Sequence, residues 1–152
     1  ENVMMGADSH NKSNFIRDIL GFSLKFEKQL EERAHEALAW AGAAHTAFLD
    51  PTELTYPDSK RVAIARALVM KPKLLLLDEP FEGLAPAIVE ELFEALDRLR
   101  HEVSIIIVDH HLDLALALSD STVVLESGSV THTGPSKELS LDINLRRQKL
   151  WL

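Results

Sequence analysis

The sequence contains no cysteine, which excludes disulfide bridges and any metal site built on thiolates and fits a reducing compartment. It has no apolar run approaching the about 18 residues that a membrane-spanning helix needs. Basic residues are scarce, because 16 lysines and arginines stand against 24 carboxylates and give a net charge of −8. Since no basic face can be recognised, we expect no nucleic-acid partner.

The start of the chain also lacks features of a targeting segment. Residues 1–6 carry neither a basic region nor the long apolar stretch of a signal peptide, and the chain begins on glutamate as if cut from something longer. Of the 152 residues, 46% are hydrophobic and 26% are charged, which is typical of a folded chain with one core, or a core and a small satellite.

The first half of the chain predicts helices separated by loops. Residues 6–13 are polar and turn-rich and predict a loop, and a short helix is expected at Phe15 to Leu20. From Lys25 to Ala43, apolar residues recur every three and four positions, which predicts an amphipathic helix. A further helix, capped by Asp58 or Ser59, should end before the next proline.

Strands and helices alternate in the second half. Leu74 to Leu77 and Ser104 to Val108 predict strands buried on both faces. The other expected elements are a helix from Pro86 to about Arg100, a short helix at Leu112 to Leu118, strands at Thr122 to Glu126 and Ser129 to Thr133 joined by Ser127-Gly128, and a C-terminal helical segment. The alternation predicts an α/β fold with a partly parallel sheet.

Asp78 and Glu79 follow directly where the first apolar strand ends. Ligand sites of open α/β sheets lie at the carboxyl ends of strands, and carboxylate oxygen suits Mg²⁺ that arrives with a nucleotide's phosphates. We expect Asp78 to hold the metal and Glu79 to orient or deprotonate an attacking water. For an arbitrary Asp-Glu-Pro sequence, a solvated strand end is the more common outcome, but the four preceding leucines favour the site.

His110 follows the second strand and should emerge at the same sheet edge as Glu79, where it could donate a hydrogen bond to a terminal phosphate. An ordinary polar loop at Asp109-His110-His111 is the alternative. A metal site on His110 and His111 is disfavoured, because adjacent residues rarely converge on one ion. The amides of the helix that starts near Ser59 could bind an anion, although many helix N-termini bind nothing.

Three successive segments closely resemble motifs of ATP-binding-cassette (ABC) nucleotide-binding domains: residues 54–68 (LTYPDSKRVAIARAL), 74–86 (LLLLDEPFEGLAP) and 105–113 (IIIVDHHLD). By that resemblance Asp78 is the Walker B aspartate, which binds the metal, Glu79 is the catalytic carboxylate and His110 is the switch histidine. The nucleotide-contacting positions would be the signature loop, formed by Leu54, Thr55, Tyr56, Pro57 and Asp58, and the D-loop, formed by Glu82, Gly83, Leu84 and Ala85.

The sequence departs from the family pattern in two ways. It has no Gly-x-x-x-x-Gly-Lys-[Ser/Thr] loop, the Walker A motif whose amides cradle phosphates, so it looks like the C-terminal portion of a cassette. We therefore expect the isolated chain to show no ATPase activity. In the signature loop, Tyr56 and Pro57 replace glycines, and Asp58 adds a negative charge, so contact with ATP should be weakened.

The resemblance implies a P-loop NTPase-like (RecA-like) partial core with an α-helical subdomain. Its expected divisions are a helical signature subdomain at 1–57, the C-terminal part of the ATPase core at 58–140 and a helical tail at 141–152. The wording Glu-Gly-Leu-Ala-Pro looks most like ATPase subunits of branched-chain amino-acid importers. Such a subunit would use ATP and Mg²⁺, pair head-to-tail with a second nucleotide-binding subunit, and dock on a membrane permease at the cytoplasmic face through a helical insert at about 8–55.

Two other readings fit the same residues. The chain could be a catalytically inactive, truncated cassette that acts as an interaction module. It could also belong to a soluble cassette ATPase of translation or DNA repair, although the long linker insertions and basic surfaces of those families are not seen.

Overall fold

The computed structural model describes residues 1–8 and 22–150. Within these residues the helices are α1 (Asn2–Asp8), α2 (Phe22–Trp40), α3 (Tyr56–Leu68), α4 (Pro86–Leu99), α5 (Leu112–Leu118), α6 (Ser136–Leu141) and α7 (Ile143–Leu150). The strands are β1 (Leu74–Asp78), β2 (Ser104–Val108), β3 (Ser121–Glu126) and β4 (Ser129–Pro135). Short 3₁₀ turns occupy Ala44–Thr46 and Pro51–Glu53. In this described part, every helix is too short or too polar to span a bilayer.

The described residues form two compact units. The first comprises Glu1–Leu75 and Leu84–Ile105, and the second comprises Leu76–Gly83 and Ile106–Leu152. The division expected from the sequence, with boundaries at residues 57 and 140, stays a prediction.

The first unit is a helical assembly in which α1 and α2 pack on α3. Gly6 of α1 lies so close to Arg66 of α3 that a Cβ at Gly6 would be 2.2 Å from the Arg66 carbonyl oxygen. Arg61 of α3 is buried, and its guanidinium donates to Glu91 at 2.5 Å and to the Gly42 carbonyl at 3.3 Å. This one side chain therefore joins α3 to α4 and to the turn after α2.

Several predicted boundaries change. The predicted loop at 6–13 is wrong in part, because α1 includes residues 6–8. The helix expected at Phe15 to Leu20 lies outside the described residues. Helix α2 begins earlier than predicted and ends at Trp40, before the left-handed Gly42 (φ +69°). The cap of α3 is Thr55 rather than Asp58 or Ser59, since the Thr55 hydroxyl accepts the Asp58 N–H.

Strands β1 and β2 pair in parallel. The Ser104 N–H donates to the Lys73 carbonyl at one end, and the Glu79 N–H donates to the Val108 carbonyl at 2.7 Å at the other. The expectation that both faces are buried is wrong: Leu74, Leu76, Ile106 and Val108 are 48–68% exposed, whereas Leu75 is buried. Since successive strand side chains point to opposite faces, Leu74 and Leu76 share one face of β1, and Ile106 and Val108 share one face of β2. The described part of the chain leaves these side chains uncovered.

The second unit contains an antiparallel hairpin, as predicted. Strands β3 and β4 pair across Ser127-Gly128, whose φ angles of +48° and +79° fit a tight two-residue turn. One face of the hairpin packs on helices through a cluster of Leu116, Val124 and Leu139, joined by Leu112 and Leu145. The predicted C-terminal helical segment is two helices, α6 and α7, divided at Asp142, whose carboxylate accepts the Asn144 and Leu145 N–H groups.

Candidate functional site

The centre of the candidate site is the turn that follows β1. Asp78 is the last, exposed residue of the strand, and Glu79 is the next residue, in a left-handed backbone conformation with φ +47°. This conformation is uncommon for a residue with a Cβ and is often found where a side chain is held for function. The bond from the Glu79 N–H to the Val108 carbonyl fixes this turn beside the end of β2.

His110 lies beside Glu79, as the sequence predicted. Its Nδ1 is 3.8 Å from Glu79 Oε1, and both side chains are about half exposed. A hydrogen bond between the Glu79 and Glu82 carboxyls, and repulsion from the Glu82 charge, raise the pKa of Glu79. Burial and the Asp78 charge act in the same direction, and His110 opposes them. Asp78, Glu79 and His110 therefore share one electrostatic neighbourhood within the second unit.

Sequence reasoning missed Asp109 as a component of this site. Its side chain is fully buried and accepts three hydrogen bonds: from the Phe81 N–H at 3.2 Å, the His111 N–H at 2.7 Å and the His111 imidazole Nδ1 at 2.7 Å. The first joins the turn after β1 to the turn after β2, so Asp109 holds together the segments that carry Glu79 and His110. The signal in the sequence was a carboxylate directly after an apolar run, the same signal that identified Asp78.

The surroundings of Asp109 favour its ionised form. Burial is the largest single influence and acts to raise the pKa of its carboxyl group. The hydrogen bonds from His111 and Phe81, together with the His111 charge, outweigh burial and lower the pKa below its ordinary value.

The signature-loop segment lies at the N-terminus of α3 in the first unit. The Thr55 hydroxyl accepts the Asp58 N–H at 3.3 Å and donates to the Asp58 carboxylate at 2.6 Å, and His45 Nε2 lies 2.9 Å from the same carboxylate. Burial acts to raise the pKa of Asp58, but the Thr55 and His45 hydrogen bonds and the His45 and Arg61 charges lower it. Tyr56 is exposed, while Leu54 and Pro57 are partly exposed.

The D-loop positions form a turn between β1 and α4. Gly83 has φ +70°, a conformation that favours glycine, and the Glu82 N–H donates to the Glu79 carbonyl at 3.3 Å. Ala85 is the N-terminal cap of α4 and Leu84 is partly exposed. Glu82 is the member of this turn that reaches Glu79, through the carboxyl contact described above.

Comparison with known proteins identifies the family that this geometry suggests. The ABC transporter family model matches residues 3–82, just over half of the chain. The chain therefore belongs to the ABC transporter family, and its fold is that of ABC ATPase cassettes.

Three relatives illustrate the match. The chain is 42% identical over 134 residues to the aliphatic sulfonates import ATP-binding protein SsuB of Mycobacterium avium (strain 104), a match that covers 84% of this chain and 51% of that protein. Among solved structures, cbiO1 from Clostridium perfringens, part of the complex cbiONQ, has a TM-score of 0.74 at 31% identity over 96% of this chain and 54% of that one. The dimeric cassette MJ0796, bound to ADP and Pi, has a TM-score of 0.60 at 28% identity over 69% and 46%.

The curated relatives are longer than this chain, and their names specify several different solutes. The chain spans about half or less of the length of the curated relatives it matches. Their names specify import of sulfonates, molybdenum, Fe(3+) and spermidine/putrescine. These names do not single out branched-chain amino acids, so the more specific resemblance seen in the sequence is not supported by them.

Proposed function

We propose that this chain is the C-terminal portion of an ATP-binding subunit that couples ATP hydrolysis to import of a solute through a membrane permease. The observation that carries the proposal is the convergence of Glu79 and His110, 3.8 Å apart, beside Asp78 at the end of a strand. In this proposal Asp78 would hold Mg²⁺, since an exposed carboxylate at a strand end suits a hard cation. The bound ion would supply charge neutralisation on the phosphates.

The chain's own residues would act on water and phosphate. Glu79, whose raised pKa moves it towards the range of a general base, would take a proton from water as its oxygen attacks the γ-phosphorus. The bond to the bridging oxygen would break, and ADP would leave with the electron pair. His110 would donate a hydrogen bond to a γ-phosphate oxygen and stabilise its developing charge. Asp109 would hold the two turns together and so keep Glu79 beside His110.

The phosphate-binding and signature loops of this chain depart from the family pattern. The chain has no Walker A loop, and the Thr55 hydroxyl is already engaged with Asp58 in capping α3. We therefore infer that Leu54 to Asp58 and the D-loop residues Glu82 to Ala85 would face nucleotide across a head-to-tail dimer, with a weakened contact at the signature loop.

A partner surface is supported by the exposure of apolar side chains. Phe48, after α2, is 89% exposed, which fits docking of the helical segment on a permease at the cytoplasmic face of the membrane. Branched-chain amino acids or related compounds stay a cargo proposal that depends on the resemblance of residues 1–6 and 82–86 to those importers.

The experiment is a fusion that supplies the missing phosphate loop. The N-terminal part of an importer ATP-binding protein, up to the point where this chain begins to match, is joined to this chain and Mg-ATP hydrolysis is measured. We expect turnover to fall by about 10²-fold or more in Glu79→Gln, because general-base catalysis contributes at least that much. The control is Glu126→Gln, which removes an exposed carboxylate in β3 and should leave turnover unchanged.

The unfused chain gives the complementary result. We expect no hydrolysis and no binding of Mg-ATP at micromolar concentrations, because backbone amides of the absent loop provide much of the phosphate affinity in this fold. Micromolar binding by the unfused chain would contradict this expectation.

An interaction module is the second candidate, and the exposed apolar side chains of β1 and β2 favour it. Co-purification of this chain with a full-length cassette, with the turnover of the complex unaffected by Glu79→Gln in this chain, would support the module over the enzyme.

A further inference from the structure

The chain makes a sharp bend where β2 leads into α5. His111 has φ −75° and ψ +72°, and the Leu112 N–H donates to the His110 carbonyl at 2.9 Å. These values define an inverse γ-turn centred on His111. The bend has a direct effect on the side chains, because the His110 and His111 rings lie 4.2 Å apart between centroids and 37° from parallel. The sequence disfavoured a shared metal site here, because adjacent residues rarely converge on one ion, and this bend brings the two rings together.

Asp109 completes a compact group of potential ligand atoms. A nitrogen of each imidazole and a carboxylate oxygen of Asp109 all lie within 4.8 Å of one another. Asp109 Oδ1 is 2.7 Å from His111 Nδ1 and 3.9 Å from His110 Nδ1. In a tetrahedral zinc site with bonds of about 2.0 to 2.2 Å, neighbouring ligand atoms lie about 3.3 to 3.6 Å apart. The 3.9 Å separation lies slightly above that spacing, whereas the 2.7 Å separation is a hydrogen bond that coordination would have to lengthen.

We propose that His110, His111 and Asp109 form a binding site for a divalent transition-metal cation of intermediate hardness, such as Zn²⁺. Two imidazoles and a carboxylate are a ligand set that zinc accepts. Oε1 of Glu79 lies 3.8 Å from His110 Nδ1 and is placed to serve as a fourth ligand. His110 and His111 are 58% and 37% exposed, so an ion can reach both rings from solvent.

The site differs in chemistry from the magnesium position proposed at Asp78. Mg²⁺ takes oxygen ligands in an octahedral arrangement, whereas imidazole nitrogen selects Zn²⁺, Cu²⁺ or Ni²⁺. The Asp109 carboxylate orients the His111 ring through the hydrogen bond to Nδ1, and a metal bound at Nδ1 would take the place of the proton in that bond. The proposal needs neither ATP nor hydrolysis, but it shares His110 and Glu79 with the proposed function, so a bound ion would compete with their catalytic roles.

The test is a calorimetric titration of the purified, tag-free chain with ZnCl₂ at pH 7.5, in a buffer that does not chelate zinc. We expect one Zn²⁺ per chain with a Kd on the order of 10 μM. His110→Ala and His111→Ala should each weaken binding about tenfold or more, since each removes one ligand. The matched control is His101→Ala, an exposed histidine after α4 that lies outside the cluster and should leave the Kd unchanged.

The possible outcomes of the titration distinguish a zinc site at His110 and His111 from binding elsewhere. Equal Kd values for the wild-type chain, His110→Ala and His111→Ala would overturn the proposal, because zinc would then be bound elsewhere. Absence of binding up to millimolar Zn²⁺ would overturn it as well. Displacement of Zn²⁺ by millimolar Mg²⁺ would assign the ion to oxygen ligands and have the same consequence, whereas retention of Zn²⁺ supports the histidine site. Circular dichroism of each exposed-histidine variant verifies that the fold is retained.

Discussion

Replacing Asp109 by asparagine tests whether this buried carboxylate organises the turns after β1 and β2. Asparagine has the same size, but it carries an NH₂ group in place of one carboxylate oxygen. That group would face one of the three donors that now bond to the carboxylate, which are the Phe81 N–H, the His111 N–H and the His111 ring. A buried donor left without an acceptor costs about 1 to 3 kcal/mol. We expect the free energy of unfolding to fall by about 2 kcal/mol.

The assay is urea unfolding followed by far-ultraviolet circular dichroism at pH 7. For a chain of this size, an m-value of about 2 kcal/mol/M converts the expected loss into a midpoint about 1 M lower. The matched control is Asp97→Asn, which makes the same chemical change at a side chain that is 45% exposed and bonded to Arg100 at the C-terminal end of α4. An exposed ion pair contributes about 1 kcal/mol or less, so the control midpoint should change little. Equal losses in the two variants would refute the reasoning.

Acid provides a second check on Asp109, because its carboxyl pKa is lowered in the folded chain. A group with a depressed folded pKa contributes stability that is present above its unfolded pKa of about 3.9 and is lost as the pH falls through the folded value. The difference in stability between the wild-type chain and Asp109→Asn should therefore be full at pH 6 and shrink below about pH 4. A constant difference from pH 6 to pH 2 would contradict the assigned role.

Two further substitutions test the packing of the first unit. Thr55→Ala removes the cap of α3 and should lower the free energy of unfolding by about 1 kcal/mol in urea denaturation, while Thr52→Ala, which leaves α3 intact, serves as the comparison. Gly6→Ala should destabilise the chain by about 1 to 3 kcal/mol in thermal unfolding, although alanine normally favours a helix, because its Cβ would meet the Arg66 carbonyl at 2.2 Å. A Gly6→Ala variant as stable as the parent would show that α1 does not pack this closely on α3.

The elements that the sequence predicted well have strong local signals. Pro86 at the first helical position and the apolar spacing behind it located α4, and Ser104 with the aliphatic run at 105–108 located β2 to the residue. The placement of Glu79 near His110 followed from a general property of parallel sheets, whose strand ends share one edge.

The features that escaped prediction depend on the third dimension. The cap at Thr55 competes with two equally plausible caps at Asp58 and Ser59, and only the backbone path selects it. The close approach of the adjacent histidine rings depends on an inverse γ-turn that has no distinctive residue signature. Burial of β1 and β2 could not be predicted from their leucines and isoleucines, since whether a strand face is covered depends on which other segments are present.

The backbone of Glu79 limits how a mutational survey of this position can be interpreted. A left-handed φ of +47° is tolerated by glycine and asparagine and resisted by valine, isoleucine and threonine, whose branched Cβ crowds the neighbouring carbonyl. A defective valine variant would therefore combine the loss of the carboxylate with a misplaced turn. Glycine removes the carboxylate while relieving the conformational cost, so comparing glycine with glutamine separates what the side chain does from what the turn requires.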